Sequence, residues 1–416
     1  MTVRSRRFVL AGLIVVGCYH APAEFSHPAD RSWQSAATPP VSGAALGCDA
    51  AIVAVLERDP TLRAARAGRA VAQRDVDAAG RWDGPELRLS DNLRDFANEW
   101  KAELRFPLPG PGVSGAENSA AEARVQLTAA EVRALEVQVA QGIRAAHADL
   151  AFVAARALLD REAAAAALRR AELVAERATA GTATAVAAME AKLVAVAAED
   201  TSRATEREVA RHRERLTTRV GSPPDALVQC TAPRTTAGNS EVHPTIAIAL
   251  AQAWESDAVA FAESRAAWIW PTFAQVGWAA DTAGNNRQDR ILVEVGIALP
   301  FPGADDGDVA RSLAEQHRLA AEATRIAVGS AVDEAESMWR EARAQRAALE
   351  ARQGEIDAAA ALLARAESAG AAPDELSTLS KRLRDHSRAL AESEHALARA
   401  AAEVFAARGL AVQGPP

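Results

Sequence analysis

Lysine is nearly missing from this chain, with three among 416 residues. A phosphate-cradling loop needs one after its glycines, and the glycine-rich stretch "PGPGVSG" at 109–115 lacks the GK[ST] ending, so no nucleotide-phosphate site is supported. Methionine and cysteine occur three times each, and the eight histidines never pair at i,i+3 or i,i+4. Neither a soft-metal relay nor a helical metal motif can be built from them, so no metal ligand is assigned. "DTAGNNRQDRILVE" fails as a calcium loop, with Asn286 where glycine is required and Leu292 where the bidentate glutamate belongs. The formal charge of -8 gives no basic footprint for nucleic acid. Nothing marks a nucleophile; no catalytic residue and no cofactor is expected, and the chain is not read as an enzyme.

Aromatics are scarce too, at 4% against 49% hydrophobic residues in all. Alanine therefore carries much of the apolar total, and alanine is the best helix former and lets helices approach closely. The expected class is mainly α with a small β portion. Arginines and carboxylates are interspersed, the pattern of solvated helix faces.

At the N-terminus, Arg4, Arg6 and Arg7 precede an apolar run, Phe8 to Val16, too short to cross a bilayer but suited to a signal peptide spanning 1–17. Val15-Val16-Gly17-Cys18 resembles a bacterial lipobox. That resemblance implies acylation of Cys18 with chains such as palmitate, a lipid-anchored segment at 18–47 and, because Tyr19 rather than aspartate follows, sorting to the outer membrane. Cys48 and Cys230 are left. In an exported protein this even pair is read as a disulfide, the alternative being two unpaired buried thiols.

The remainder is one unit written twice. "ELRFPLPGPG" from Glu103 returns as "GIALPFPGAD" from Gly296, with Pro107 matching Pro300 and Pro109 matching Pro302 at an offset of 193. Upstream, "DPTL" is answered by "HPTI". Downstream, Val139, Ile143, Ala146, Leu150 and Val153 step by 4, 3, 4, 3, and Val328, Val332, Ala335, Trp339 and Ala342 repeat those steps. A shared phase over that distance indicates duplication, and the stepping marks coiled-coil seams. The first repeat spans 48–221 and the second 241–409, joined by a linker at 222–240 and followed by a tail at 410–416. Each reads as helix (60–80; 244–266), strand pair (86–106; 272–299), very long helix (114–178; 307–368), glycine break and final helix (184–219; 374–408). The first long helix would reach roughly 100 Å.

In the strand windows Trp100, Ala102, Leu104 and Phe106 alternate with Lys101, Glu103 and Arg105, and Ile291, Val293, Val295 and Ile297 repeat the alternation. Trp82, Trp100, Trp268, Trp270 and Trp278, five of eight tryptophans, fall in or beside these windows. Tryptophan favours a bilayer interface, so Trp100, Leu104, Phe106, Trp278, Val293 and Val295 are read as membrane-strand residues. The alternative is an aromatic patch on a small soluble sheet. Pro85, Pro107, Pro271 and Pro300 stand where helix and strand exchange. "DNLRDFAN" and "DTAGNNRQD" are expected as hairpin tips. Four strands cannot close a barrel in lipid, so the chain must oligomerise, two copies supplying eight strands and three supplying twelve.

The repeat order after a lipobox-like cysteine, the "DPTL" and "HPTI" openings, the boundary prolines and the "AG" at the helical turns resemble the TolC-type outer-membrane efflux proteins. The resemblance covers nearly the whole chain from about Cys48 to Gly409. It implies a homotrimer whose twelve-stranded barrel sits in outer-membrane lipid and continues as an α-helical barrel in the periplasm. It also implies partners, a periplasmic adaptor protein and an inner-membrane pump, for which the channel is a passive duct for small molecules or metal ions. A carboxylate ring narrows the periplasmic end in some members. The candidates for that gate here are Asp374 and Glu375, which also read as ordinary first-turn acids behind Pro373. The competing function is a lipid-tethered periplasmic coiled-coil structural protein.

Overall fold

The computed structural model describes residues 47–79, 84–94, 97–108, 110–223, 230–233, 243–266, 270–281, 288–298, 306–368 and 373–411. The signal peptide, Cys18 and the anchored segment lie outside them, as do Trp82, Trp268, Gly370 and most of the linker and tail. The chain is mainly α. In order it runs α1 (Cys48–Arg58), α2 (Pro60–Ala78), β1 (Glu86–Arg94), β2 (Ala97–Pro107), α3 (Val113–Thr179), α4 (Ala185–Val220), α5 (Pro244–Ala266), β3 (Trp270–Asp281), β4 (Gln288–Ala298), α6 (Asp306–Glu350), α7 (Gln353–Ser368) and α8 (Pro373–Ala407).

Two compact units divide these elements: one holds Ala67–Ala130 and Ile246–Thr324, the other the described residues before Ala67, between Glu131 and Thr245, and from Arg325 onward. In the first unit the four strands form one antiparallel sheet in chain order. Arg124 pairs with Glu255 at 2.6 Å and Arg318 with Asp257 at 2.8 Å, tying α5 to α3 and to α6.

The second unit holds the main core. Cys48, Ile52, Val55 and Leu56 of α1 pack with Leu62, Val139, Ile143, Leu150, Leu216 and Val220, all at most 6% exposed. Burying such side chains stabilises by about 1.5–3 kcal/mol each. The seam of the first repeat is thus buried, and in the second repeat Ala335 and Trp339 pack with Val404 of α8. The carboxylate of Asp160, 5% exposed, is met by Thr205 Oγ1 at 3.1 Å and by Arg388 at 3.4 Å, so its charge is not stranded.

Both repeats start and stop by the same devices. Asp59 and His243 cap α2 and α5 ahead of Pro60 and Pro244, a residue type suited to the first helical position because its missing N–H would be unbonded anyway. Gly221 and Gly409 end α4 and α8 with φ of 80° and 69°. A side chain on Gly221 would meet Arg58, and one on Gly409 would meet Pro244 and His243, so the end of each repeat lies against its own beginning. Between α3 and α4, Gly181 takes φ 75°, and Thr184 caps α4 by accepting from the Ala187 N–H at 3.1 Å.

Three expectations change. Helix α1 precedes the one expected from residue 60; its apolar residues show no strong stripe because they are nearly all inside. The second long helix is not continuous over 307–368: a turn at Ala351 and Arg352 separates α6 from α7. There the Arg352 N–H bonds the Leu349 carbonyl, three residues back, just ahead of the weak helix former Gly354. The polar "DNLRDFAN" is mostly not a tip, since Asp91 pairs with Trp100, Asn92 with Glu99, Leu93 with Asn98 and Arg94 with Ala97.

Candidate functional site

The alternation in the strands sets the chemistry of the sheet. In an antiparallel ladder directly opposed residues share a face. The register builds rows of four across the strands: Leu87, Leu104, Val276 and Val293 in one, Leu89, Ala102, Trp278 and Ile291 in the next, while Phe106, Ala274 and Val295 continue the pattern. Every large side chain in these rows is exposed. Ile291 reaches 80%, Val293 74% and Leu89 72%, values that a face packed on a core does not have. An apolar patch of this extent on one face marks an interaction surface rather than ordinary surface scatter.

The opposite face is polar. Glu86 pairs across from Arg105 and Arg88 from Glu103, so opposite charges meet on neighbouring strands, and Gln275 stands across from Glu294. Arg88 also bonds Glu86 at 2.9 Å. The Arg105 guanidinium lies 3.8 Å from the centre of the Phe273 ring. That ring covers Gly296, where an added side chain would stand 2.0 Å from it; glycine here is a packing requirement of the sheet. Pro271, second in β3, adjoins a register irregularity, where a strand tolerates a residue without an N–H.

The outer strands β1 and β4 each pair on one side only, so the sheet has two open edges among the described residues. Strand lengths run from 9 to 12 residues. No described helix is long and apolar enough to cross a membrane.

The six strand residues singled out from the sequence, Trp100, Leu104, Phe106, Trp278, Val293 and Val295, all lie on the apolar face. Leu87, Leu89 and Val276 share that face, but their period of two in "ELRLS" and "AQVGW" is too short to single them out along the chain. The charged ladder of the other face becomes legible only once the register is known. The other sequence candidates lie elsewhere. Asp374 and Glu375 open α8. Cys48 and Cys230 place their sulfurs at bonding distance in the second unit, with Cα atoms 4.9 Å apart and Asp49 accepting from the Thr231 N–H at 3.2 Å beside them. A ring nitrogen of His147 lies within 4.8 Å of both sulfurs, but sulfurs bonded to each other offer no thiolate to a metal.

No family model matches the chain, and no curated protein matches it. Solved structures do. CusC, known from structures that follow its folding and transmembrane channel formation, superposes with a TM-score of 0.69 at 16% identity over 94% of this chain and 98% of its own. The outer membrane protein VceC of Vibrio cholerae gives 0.67 at 17% over 87% and 96%, and the CmeC outer membrane channel of Campylobacter jejuni 0.66 at 10% over 98% and 93%. Identities this low carry the fold alone. The fold is that of the TolC-type outer-membrane channels, mainly helical and duplicated with a small antiparallel sheet.

Proposed function

We propose that this chain is the protomer of a trimeric outer-membrane duct that passively conducts small molecules or metal ions out of the periplasm. One observation carries the reading: a sheet with an exposed apolar face, a charged opposite face and, among the described residues, two unpaired edges. In hydrocarbon every backbone N–H and C=O must be bonded within the protein, so open edges are tolerated only if neighbouring copies pair them. Three copies supply twelve strands, with the apolar rows against lipid and the Arg105–Glu86 and Arg88–Glu103 ladders toward water, a barrel wide enough to conduct. Strands of 9 to 12 residues suit a tilted crossing of about 9–11 residues.

The remaining assignments belong to the same reading. Acylated Cys18 becomes the mature N-terminus and anchors the chain in the outer membrane. Asp374 and Glu375 line the periplasmic constriction. A periplasmic adaptor and an inner-membrane pump supply cargo and energy. The domain limits are those of the two repeats, 48–221 and 241–409. Outer-membrane fractions resolved by unheated electrophoresis test the reading: a heat-sensitive trimer is expected. A monomer in the soluble periplasmic fraction would overturn it in favour of the tethered coiled-coil protein.

A further inference from the structure

The Cys48–Cys230 disulfide has a third neighbour in the second unit. One ring nitrogen of His147 and the two sulfurs all lie within 4.8 Å of one another. Cys48 and His147 are buried, at 0% and 1% exposure, while Cys230 is partly exposed and lies on the wall of a cavity of about 590 Å³. Cys48 opens α1, His147 stands in α3, and Cys230 follows α4. Contacts other than the S–S bond hold them together: Cys48 packs with Ile143 and Leu150 of α3, Cys230 packs against the same core, and Asp49 accepts from the Thr231 N–H at 3.2 Å. The three side chains therefore remain neighbours when the disulfide opens.

Two cysteines and a histidine are a soft ligand set. Thiolates select Cu(I) and Zn(II), and imidazole suits both metals. With bonds of about 2.3 Å to sulfur and about 2.0 Å to nitrogen, the ligand atoms around a three-coordinate ion stand roughly 4 Å apart. Rotation of the two cysteine side chains is enough to reach that spacing from the present one.

The local charge chooses between the two cations. Arg144, one turn before His147 on α3, is 3% exposed. Its Nη2 donates to the Ala411 carbonyl at 2.6 Å, and its guanidinium lies 3.9 Å from the centre of the Phe405 ring. Burial lowers its pKa to about 10, so it remains a cation at neutral pH. Two thiolates around a divalent ion are neutral and leave that buried charge as it is. Around a monovalent ion they keep one negative charge, which the buried cation attracts. Cys48 adds to the preference, because the first residue of a helix sits where the dipole favours negative charge.

We propose that reduction of the Cys48–Cys230 disulfide creates a three-coordinate site for Cu(I), with the two thiolates and the His147 imidazole as ligands. A small dithiol is the reductant. Its thiolate attacks Cys230, the partly exposed sulfur, and Cys48 leaves as a thiolate; the second thiol of the reductant then displaces Cys230. Two electrons pass to the protein, the reductant leaves as its own disulfide, and its two protons stay on Cys48 and Cys230 until the cation displaces them to water. The proposal does not rest on the duct reading.

The test uses the purified full chain in neutral detergent at pH 7.5, reduced anaerobically with dithiothreitol, freed of it by gel filtration and titrated with Cu(I) held by bicinchoninate. The reduced chain is expected to take one Cu(I) from the chelator, and the oxidised chain at least tenfold less. His147→Gln should weaken the site at least tenfold, and X-ray absorption should show two sulfurs and one nitrogen bonded to the metal. Equal uptake by the oxidised and reduced chains, a metal without a nitrogen ligand, or Cu(I) displaced by equimolar Zn(II) would overturn the proposal. Should reduction unfold the chain, Cu(I) is expected to restore its circular-dichroism signal, and a chain that stays unfolded with Cu(I) would overturn it equally.

Discussion

Asp59 and His243 hold the same post one repeat apart. Asp59 Oδ1 accepts from the Thr61 N–H at 2.8 Å and the Leu62 N–H at 3.2 Å, while His243 Nδ1 accepts from the Thr245 N–H at 3.3 Å. The Thr61 and Thr245 hydroxyls close on the same acceptors. For His243 this fixes a neutral ring with its Nε2–H toward the Ala406 carbonyl at 3.4 Å.

Burial lowers the His243 pKa below its usual value, against the opposing hydrogen bond to Ala406, and the hydrogen bond from Thr61 is the main cause lowering that of Asp59. Both folded values are depressed, so both contributions are present above the unfolded pKa and are lost as pH falls through the folded one. For His243 the loss begins near pH 6.5, for Asp59 only below about pH 3.8. Losing an N-cap costs about 1 kcal/mol. Thermal melts followed by circular dichroism should therefore show a drop of about 2 °C from pH 7.5 to 5.5 that His243→Asp abolishes. An unchanged drop in that variant would refute the assignment.

On the apolar face, Val293→Arg should cost about 2–4 kcal/mol if the position lies at the bilayer midplane. Glu294→Arg, one residue on and on the charged face, should cost little. The measurement is the amount of heat-sensitive oligomer in the outer membrane; equal assembly of both variants would contradict a lipid-facing sheet.

Glycine substitutions separate backbone strain from crowding. Gly409→Ala forces a side chain into φ 69° and to 2.5 Å from Pro244, so a loss of about 1–3 kcal/mol is expected. Gly221→Ala has similar strain but meets only the movable end of Arg58 and should cost less. Gly68→Ala in α2 has open space around it and should stabilise by about 0.5–1 kcal/mol. Denaturant midpoints give the ranking.

The cysteines can be assigned in one mass-spectrometric experiment. Non-reducing digestion should recover Cys48 and Cys230 in a linked peptide pair, and reduction should destabilise the fold by about 2–5 kcal/mol. Palmitate labelling should vanish in Cys18→Ser. Labelling that persists would exclude Cys18 as the anchor.

Much of the fold was legible because its signals are local. Val139 to Val153 and Val328 to Ala342 keep a helical phase that a buried seam requires, and Trp100 to Phe106 keep the period of two that a one-sided strand requires. Helix α1 was not legible, since its apolar residues are nearly all buried and mark no single stripe, nor was the turn at Ala351, where Gly354 is a weak signal on its own. Arg144 was invisible for a different reason: in sequence it is one arginine among many on a long helix.

The duplication, the helical class and the apolar alternation of the strands can all be read along the chain, because backbone periodicity and the caps at Asp59 and His243 act over a few residues. It took packing to put Leu87, Leu104, Val276 and Val293 in one row, to bring Cys48 to Cys230, and to bury Arg144 against Phe405 and the Ala411 carbonyl. Those relationships join residues as many as about 260 positions apart, and only packing brings them within reach of one another.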